Sequence, residues 1–251
     1  MKQKSENRKA MPKFILIMIC ALLVGGVVGV VLVLADGDWT TQFVESISAL
    51  LMAISPWMLF VTAAVSVLGV FLPYRKAKAL HTAMQDPDDE EMLDRLDGLL
   101  NIALLVNNIC SIASYFFIGT AFCLFRQMEP MAFLLCLIGF VCCLIFIILG
   151  QQKVVDYTKK LYPEKRGSVY DTKFAEKWYD SCDEAERAMI CQAAFTSYKA
   201  TNLTCVFLWL ALVLNSMLFE IGLMPIAVVT VIWLVSTLSY CIKAMKLSKR
   251  K

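Results

Sequence analysis

The residues best placed to do chemistry in an apolar setting are neutral. Asn107, Asn108, Ser111 and Ser114 fall in one long apolar stretch, and Asn202 and Asn215 in another. An amide offers two donors and an acceptor, and a hydroxyl both donates and accepts. At helical spacing such groups either hydrogen-bond one helix to its neighbour or line a path for a polar solute. Bonding between helices is the expected use, at about 0.6 kcal/mol per contact in a bilayer. The patterns that mark catalysis do not occur: there is no HExxH, GxSxG, GxGD or Walker A run. The one histidine, His81, sits among basic residues, where a structural role is expected. The ten cysteines contain no CxxC pair, which removes support for zinc or thioredoxin-like chemistry. No enzymatic activity, cofactor or metal is expected.

A second set is aromatic. Tyr157, Tyr162, Tyr170, Trp178 and Tyr179 lie in the segment 153–199 among nine basic and eight acidic residues. Large aromatics in polar surroundings either anchor a partner protein or rest on a membrane surface. Pro163, Gly167 and Ser168 break the segment into two helices. About fifty residues are too few for an ordinary independent domain, so the segment is expected to pack against residues 75–97.

The elements that position both sets follow from the spacing of charge. The chain has 251 residues, 59% hydrophobic and 18% charged, against about 45–50% apolar in an ordinary globular domain. Asp, Glu, Lys and Arg are absent from the windows 14–35, 46–74, 98–125, 130–152, 200–219 and 221–242. A helix crossing a bilayer needs about 20 mostly apolar residues, so each window is long enough. The expected architecture is all-α and polytopic, with six transmembrane helices in three hairpins at about 14–35, 49–72, 104–125, 131–150, 201–219 and 223–242. In span one, Ala21, Gly25 and Gly29 form a small-residue face that suits either self-association or packing within the chain. Val33, Leu34 and Ala35 resemble a signal cleavage site. The apolar run before them exceeds the 7–15 residues of a signal core, so retention is expected. Cleavage would leave five spans with the N-terminus outside. Ionisable groups are absent from the spans, which disfavours proton-coupled transport.

Loops kept in the cytoplasm are enriched in Lys and Arg. Twenty-three of the 24 basic residues fall in 1–13, 73–103, 151–200 and 243–251, and Arg126 alone lies on the other side. Both termini should therefore be cytoplasmic. The basic tail with Lys246, Lys249, Arg250 and Lys251 suits the anionic inner leaflet of a lipid bilayer. Neither tail carries a nucleic-acid-binding module, and no direct nucleic-acid binding is expected.

Sliding the chain on itself by 95 residues aligns Asp88, Asp89 and Glu91 with Asp183, Glu184 and Glu186. It also aligns Asn107 with Asn202, Cys110 with Cys205 and Pro130 with Pro225. The alignment suggests a parallel duplication of 74–151 as 169–246. It places each acidic cluster at the start of an amphipathic cytoplasmic helix, where carboxylates complement the helix dipole. Pro87 ahead of Asp88 suits such a start. In the first copy Leu93, Leu96, Leu99, Leu100 and Leu104 form the apolar face, with Asp94, Arg95 and Asp97 opposite.

The acidic entry 183–186, the run Ser197-Tyr198-Lys199-Ala200-Thr201-Asn202-Leu203 and the stretch Ser239-Tyr240-Cys241-Ile242-Lys243-Ala244-Met245-Lys246 resemble the domain-of-unknown-function family 3169. The resemblance covers nearly the whole chain and is strongest in its C-terminal half. It implies a multi-pass protein of the plasma membrane of Gram-positive bacteria, and it supplies no activity, cofactor or catalytic residue. Members stand beside small helix-turn-helix regulators, which by analogy implies a regulator as the cytoplasmic partner.

Two functional readings follow. In the first the chain is a non-enzymatic regulatory or accessory protein that binds a partner through 153–199 and 75–97. In the second it is a small permease or the membrane subunit of a transporter, with Asn107, Asn108, Ser111, Asn202 and Asn215 along its path.

Overall fold

A computed structural model describes residues 38–84, 89–216 and 222–248, with single positions at 12, 16 and 19. The described residues are helical, with no strand among them. They form α1 (Asp38–Ala83), α2 (Glu90–Cys123), a 3-10 turn (Phe125–Gln127), α3 (Pro130–Leu161), α4 (Phe174–Asp180), α5 (Glu184–Ser216) and α6 (Met224–Ser248). Five helices, all but α4, are long and apolar enough to cross a membrane. Several expectations lie outside the described residues: the span at 14–35 with Ala21, Gly25, Gly29 and its cleavage site, the helix start at Pro87 and Asp88, and the tail residues Lys249, Arg250 and Lys251.

The helices outrun the charge-free windows that announced them. The stretch between the first two expected spans is helical from Asp38, and the described residues of the inner segment expected at 73–103 lie almost wholly in the end of α1 and the start of α2. Pro56 and Pro73 both sit inside α1. Proline removes an intrahelical donor, which neighbouring hydroxyls and local adjustment can offset in membrane helices. Beside Pro56, the Ser55 hydroxyl donates to the Leu51 carbonyl at 2.5 Å, one position before the Met52 carbonyl that Pro56 leaves without its helical donor. The amphipathic entry is likewise continuous with the helix that follows it, because nothing between Glu90 and Cys123 breaks the α-helical pattern.

Glu45–Ala188 forms one compact unit. Within it α1 runs antiparallel to α2, with Ser66 against Asn107 and Gly69 against Val106. In turn α2 runs antiparallel to α3, with Tyr115 against Phe140 and Phe122 against Phe133. Hence α1 and α3 are parallel, and Leu59 meets Gly139 while Val70 meets Gly150. Small residues set these approaches, as expected where dispersion rather than hydrophobicity holds helices together. A Cβ on Gly69 would lie 2.3 Å from Val106 Cγ1, and one on Gly139 would lie 3.1 Å from Leu59 Cβ. Leu59, Ile118, Ala121 and Cys136 fill one core cluster. Val70, Ala77, Leu96, Leu100, Ala103, Val154 and Tyr157 fill another, with Leu99 and Leu104 packed against it.

The described residues from Met189 onward belong to a second unit. Its two helices run antiparallel, with the rings of Tyr198 and Tyr240 stacked 4.5 Å apart and Thr237 Oγ1 donating to Asn202 Oδ1 at 3.3 Å. Cys205 is the one buried residue of α5, and no described residue of α6 is buried.

Both acidic clusters cap a helix. Asp89 is the N-cap of α2 and accepts from Met92 N–H. Asp183 accepts from Glu186 N–H while Glu186 accepts from Asp183 N–H, a reciprocal capping box. The caps are 94 residues apart, so the helix starts differ by one position from the register that aligns the asparagines, cysteines and prolines.

Candidate functional site

The neutral polar residues separate by burial. Asn107 is 1% exposed and spans all three helices of the larger unit. Its Oδ1 accepts from Ser66 Oγ on α1 at 2.9 Å, and its Nδ2 donates to the Ile147 carbonyl on α3 at 3.0 Å. Both ends of the amide are thus engaged, as burial demands. Ser66, which sequence reasoning did not single out, completes the clamp; it lies 41 residues upstream and no local spacing connects the two. Ser114 is fully buried and donates to Ser111 O, while Ser111 is half-buried and Asn108 exposed.

In the second unit Asn202 is half-buried and joins α5 to Thr237 of α6, while its Nδ2 donates to Tyr198 O one turn back. Asn215 is exposed and donates to Ala211 O. The five proposed path residues are divided between the two units, Asn107, Asn108 and Ser111 in one and Asn202 and Asn215 in the other. Asn107 and Asn202 each link helices within their own unit, and Asn108 and Asn215 lie on exposed faces. Among the described residues no buried side-chain nitrogen or oxygen lacks a hydrogen-bond partner.

The five aromatics separate in the same way. Tyr157 is 7% exposed, packs edge-on against Tyr74 and lies 3.0 Å from His81 Nδ1 through its hydroxyl. It is a core residue and offers no surface to a partner. Tyr162 is half-buried and donates to Asp97 Oδ2 at 2.7 Å. Asp97 thus faces the packed side of α2 rather than the opposite, solvated side expected for it, because Tyr162 supplies a donor there. Burial raises the Asp97 carboxyl above its ordinary range even though the Tyr162 hydrogen bond works the other way, and burial together with Asp97 pushes the Tyr162 phenol far up. Tyr170 is 65% exposed, Tyr179 is 36% exposed and Trp178 is half-buried against Phe174. These three remain on the outside.

They are carried by a short folded cap, residues 162–188, built after α3 ends. Gly167 turns the chain at φ +119°, a conformation that favours glycine, and the Lys159 ammonium donates to its carbonyl. Lys165, 7% exposed, reaches Glu186 as an ion pair and comes within 3.7 Å of Cys182 Sγ. Burial alone would lower the Lys165 ammonium, but the Glu186 carboxylate outweighs it and raises it. Burial would likewise raise Glu186, and the hydrogen bonds from Lys165 and from Asp183 N–H hold it low instead. Arg187 donates to the carbonyls of Tyr179 and Asp180, and Ser181 Oγ accepts from Arg166 N–H. Between these strands of chain lies a cleft of about 540 Å³ lined by Glu164, Arg166, Lys177, Asp180 and Ser181. The D-x-x-E spacing of Asp183 and Glu186 was the one sequence signal for this arrangement. Lys165 gives none, since a lysine destined for burial looks like any other.

Among the described residues no cluster of His, Cys, Asp or Glu has the makings of a metal site. The arrangement chemically available is a hydrogen-bonded, mixed-charge surface with exposed aromatics.

No curated protein matches the chain, and no solved structure matches it. A family model described as protein of unknown function (DUF3169) matches residues 8–244, and the chain belongs to that family.

Proposed function

We propose that the chain is a non-enzymatic regulatory or accessory membrane protein that binds a cytoplasmic protein partner through the cap 162–188. The observation that carries the reading is that this segment is pinned rather than slack. An ion pair between buried Lys165 and partly exposed Glu186, a capping box and two Arg187 hydrogen bonds hold it, with Tyr170 and Tyr179 outward beside a charged cleft. Pre-ordered surface loses less conformational entropy on binding than a floppy loop, and aromatics beside mixed charge suit a protein partner. The concentration of Lys and Arg in 151–200 supports a cytoplasmic location. A helix-turn-helix regulator remains the proposed class of partner. The test is co-purification of the detergent-solubilised protein with a small helix-turn-helix regulator co-expressed with it. Tyr170→Ala with Tyr179→Ala should abolish recovery while leaving the protein folded, and undiminished recovery would remove the cap from the reading. Reporter fusions after Lys165 and after Gly222 should report cytoplasm and exterior respectively.

The permease reading has less behind it. Its leading residues, Asn107 and Asn202, spend their amides on helix contacts.

A further inference from the structure

A groove of about 460 Å³ runs between the parallel helices α1 and α3. Val67, Val70, Phe71, Phe146 and Leu149 line its length, and Tyr74, Gln152, Lys153 and Asp156 form its mouth. The charge-free window of α1 ends at Tyr74 and that of α3 at Gln152, where the first charges are Arg75 and Lys153. Because Val70 is level with Gly150, both windows end at one depth. The groove therefore begins where the headgroups of a bilayer lie and descends about 12 Å along the apolar faces, at 1.5 Å per residue.

The mouth carries opposite charges that are unpaired among the described residues. Among the described residues neither Lys153 nor Asp156 has an ion-pair or side-chain hydrogen-bond partner. Three residues apart on α3, they share a face with Cβ atoms about 5–6 Å apart. The Tyr74 hydroxyl, at the same level, has no hydrogen-bond partner among the described residues either. The Arg75 guanidinium lies 5.4 Å above the ring of Phe71, beside the same opening. An apolar channel ending in Lys153, a hydroxyl donor and a carboxylate, with the Arg75 cation engaged on Phe71 beside it, is complementary to an acyl chain joined to a phosphate and, two methylenes on, a primary ammonium.

We infer that the groove between α1 and α3 is a binding site for a zwitterionic aminoethyl phospholipid. Its acyl chain lies along Val67, Val70, Phe146 and Leu149. Lys153 and Tyr74 hold the phosphate, and Asp156 accepts from the ammonium. The Gln152 side chain at the mouth accepts from the Tyr170 hydroxyl, so the headgroup sits next to the cap and within reach of its surface.

The inference rests on the membrane reading, and the experiment separates the two. The full chain is first tested for retention in membranes washed with alkaline carbonate; release into the wash would defeat the membrane reading and the site with it. Protein purified in a neutral detergent is then titrated with phosphatidylethanolamine or phosphatidylglycerol, and bound lipid is counted by native mass spectrometry. The expected result is a preference of about fivefold for phosphatidylethanolamine, the size of one interfacial charge contact. Asp156→Asn should erase the preference, and Lys153→Gln should cut retention of both lipids, with unfolding temperatures unchanged. A protein that stays in the membrane but prefers phosphatidylglycerol, retains the two equally, or keeps its preference in both variants would overturn the site alone.

Discussion

The pairs α2–α3 and α5–α6 carry the same landmarks: an acidic N-cap, an asparagine, a cysteine three residues later and a proline near the start of the returning helix. Their interiors differ. Along α2, eight residues from Leu96 to Ala121 are buried, while α5 buries Cys205 alone. The first pair has α1 across its seam, with Ser66 reaching Asn107 and Gly69 admitting Val106. In the second, the seam holds a cavity of about 300 Å³ lined by Ser197, Ala200, Thr201, Thr204, Cys205, Leu208, Val229 and Ile232. Caps and landmark positions are local properties and repeat with the sequence. Burial is a property of what lies across the seam, and it does not repeat.

Enlarging a small residue at each seam should separate the pairs most. Gly69→Leu drives side-chain atoms into Val106 and should lower stability by about 3 kcal/mol, the upper range for overpacking. Ala200→Leu enters open space and should change it by no more than about 0.5 kcal/mol. Denaturant unfolding of the purified protein in micelles measures both, and equal losses would break the comparison.

The matched asparagines come next. Asn107→Leu strands the buried Ser66 hydroxyl and should cost about 2 kcal/mol. Asn202→Leu removes one long contact and should cost about 0.5 kcal/mol. A larger loss at Asn202 would mean that the second seam is better covered than its burial indicates.

The cap supplies a pH-dependent test. Glu186 is held below its ordinary value of 4.5, so its contribution is complete above that pH and disappears as pH falls through the lowered value. Lys165 is raised above 10.5, so its contribution is complete below that pH and disappears as pH rises through the raised value. Hydrogen exchange in 162–188 should accordingly be slowest between about pH 4.5 and 10.5 after correction for intrinsic rates. Lys165→Met should flatten the profile and loosen the cap by about 1 kcal/mol, a discounted figure because Glu186 is partly exposed. The smallest effect is expected from Tyr240→Leu, which removes the Tyr198 stack and about 0.5 kcal/mol.

Much of the larger pattern was legible in the residue order. Charge-free windows located all five long helices of the described chain, since each window reaches the length of about 20 residues that a bilayer span requires. The apolar face of Leu96, Leu100 and Leu104 was readable from helical spacing. The helix limits were harder. Charge marks where a helix leaves lipid, whereas hydrogen bonding decides where it ends, so α1 runs on to Ala83 and α3 to Leu161. The aromatics show the same gap: five residues alike in type and neighbourhood divide into Tyr157 in the core, Tyr162 bonded to Asp97, and three on the outside.

The sequence by itself determined the helices, the uneven distribution of basic charge along them, and the family, because those depend on local composition and order. Tertiary structure alone decided that Asn107 is a clamp while Asn108 is exposed, that Lys165 is buried on Glu186, and that Lys153 and Asp156 stand at the mouth of a groove. Each of these depends on groups brought together from distant parts of the chain, and contact at that separation leaves no periodic mark in the sequence.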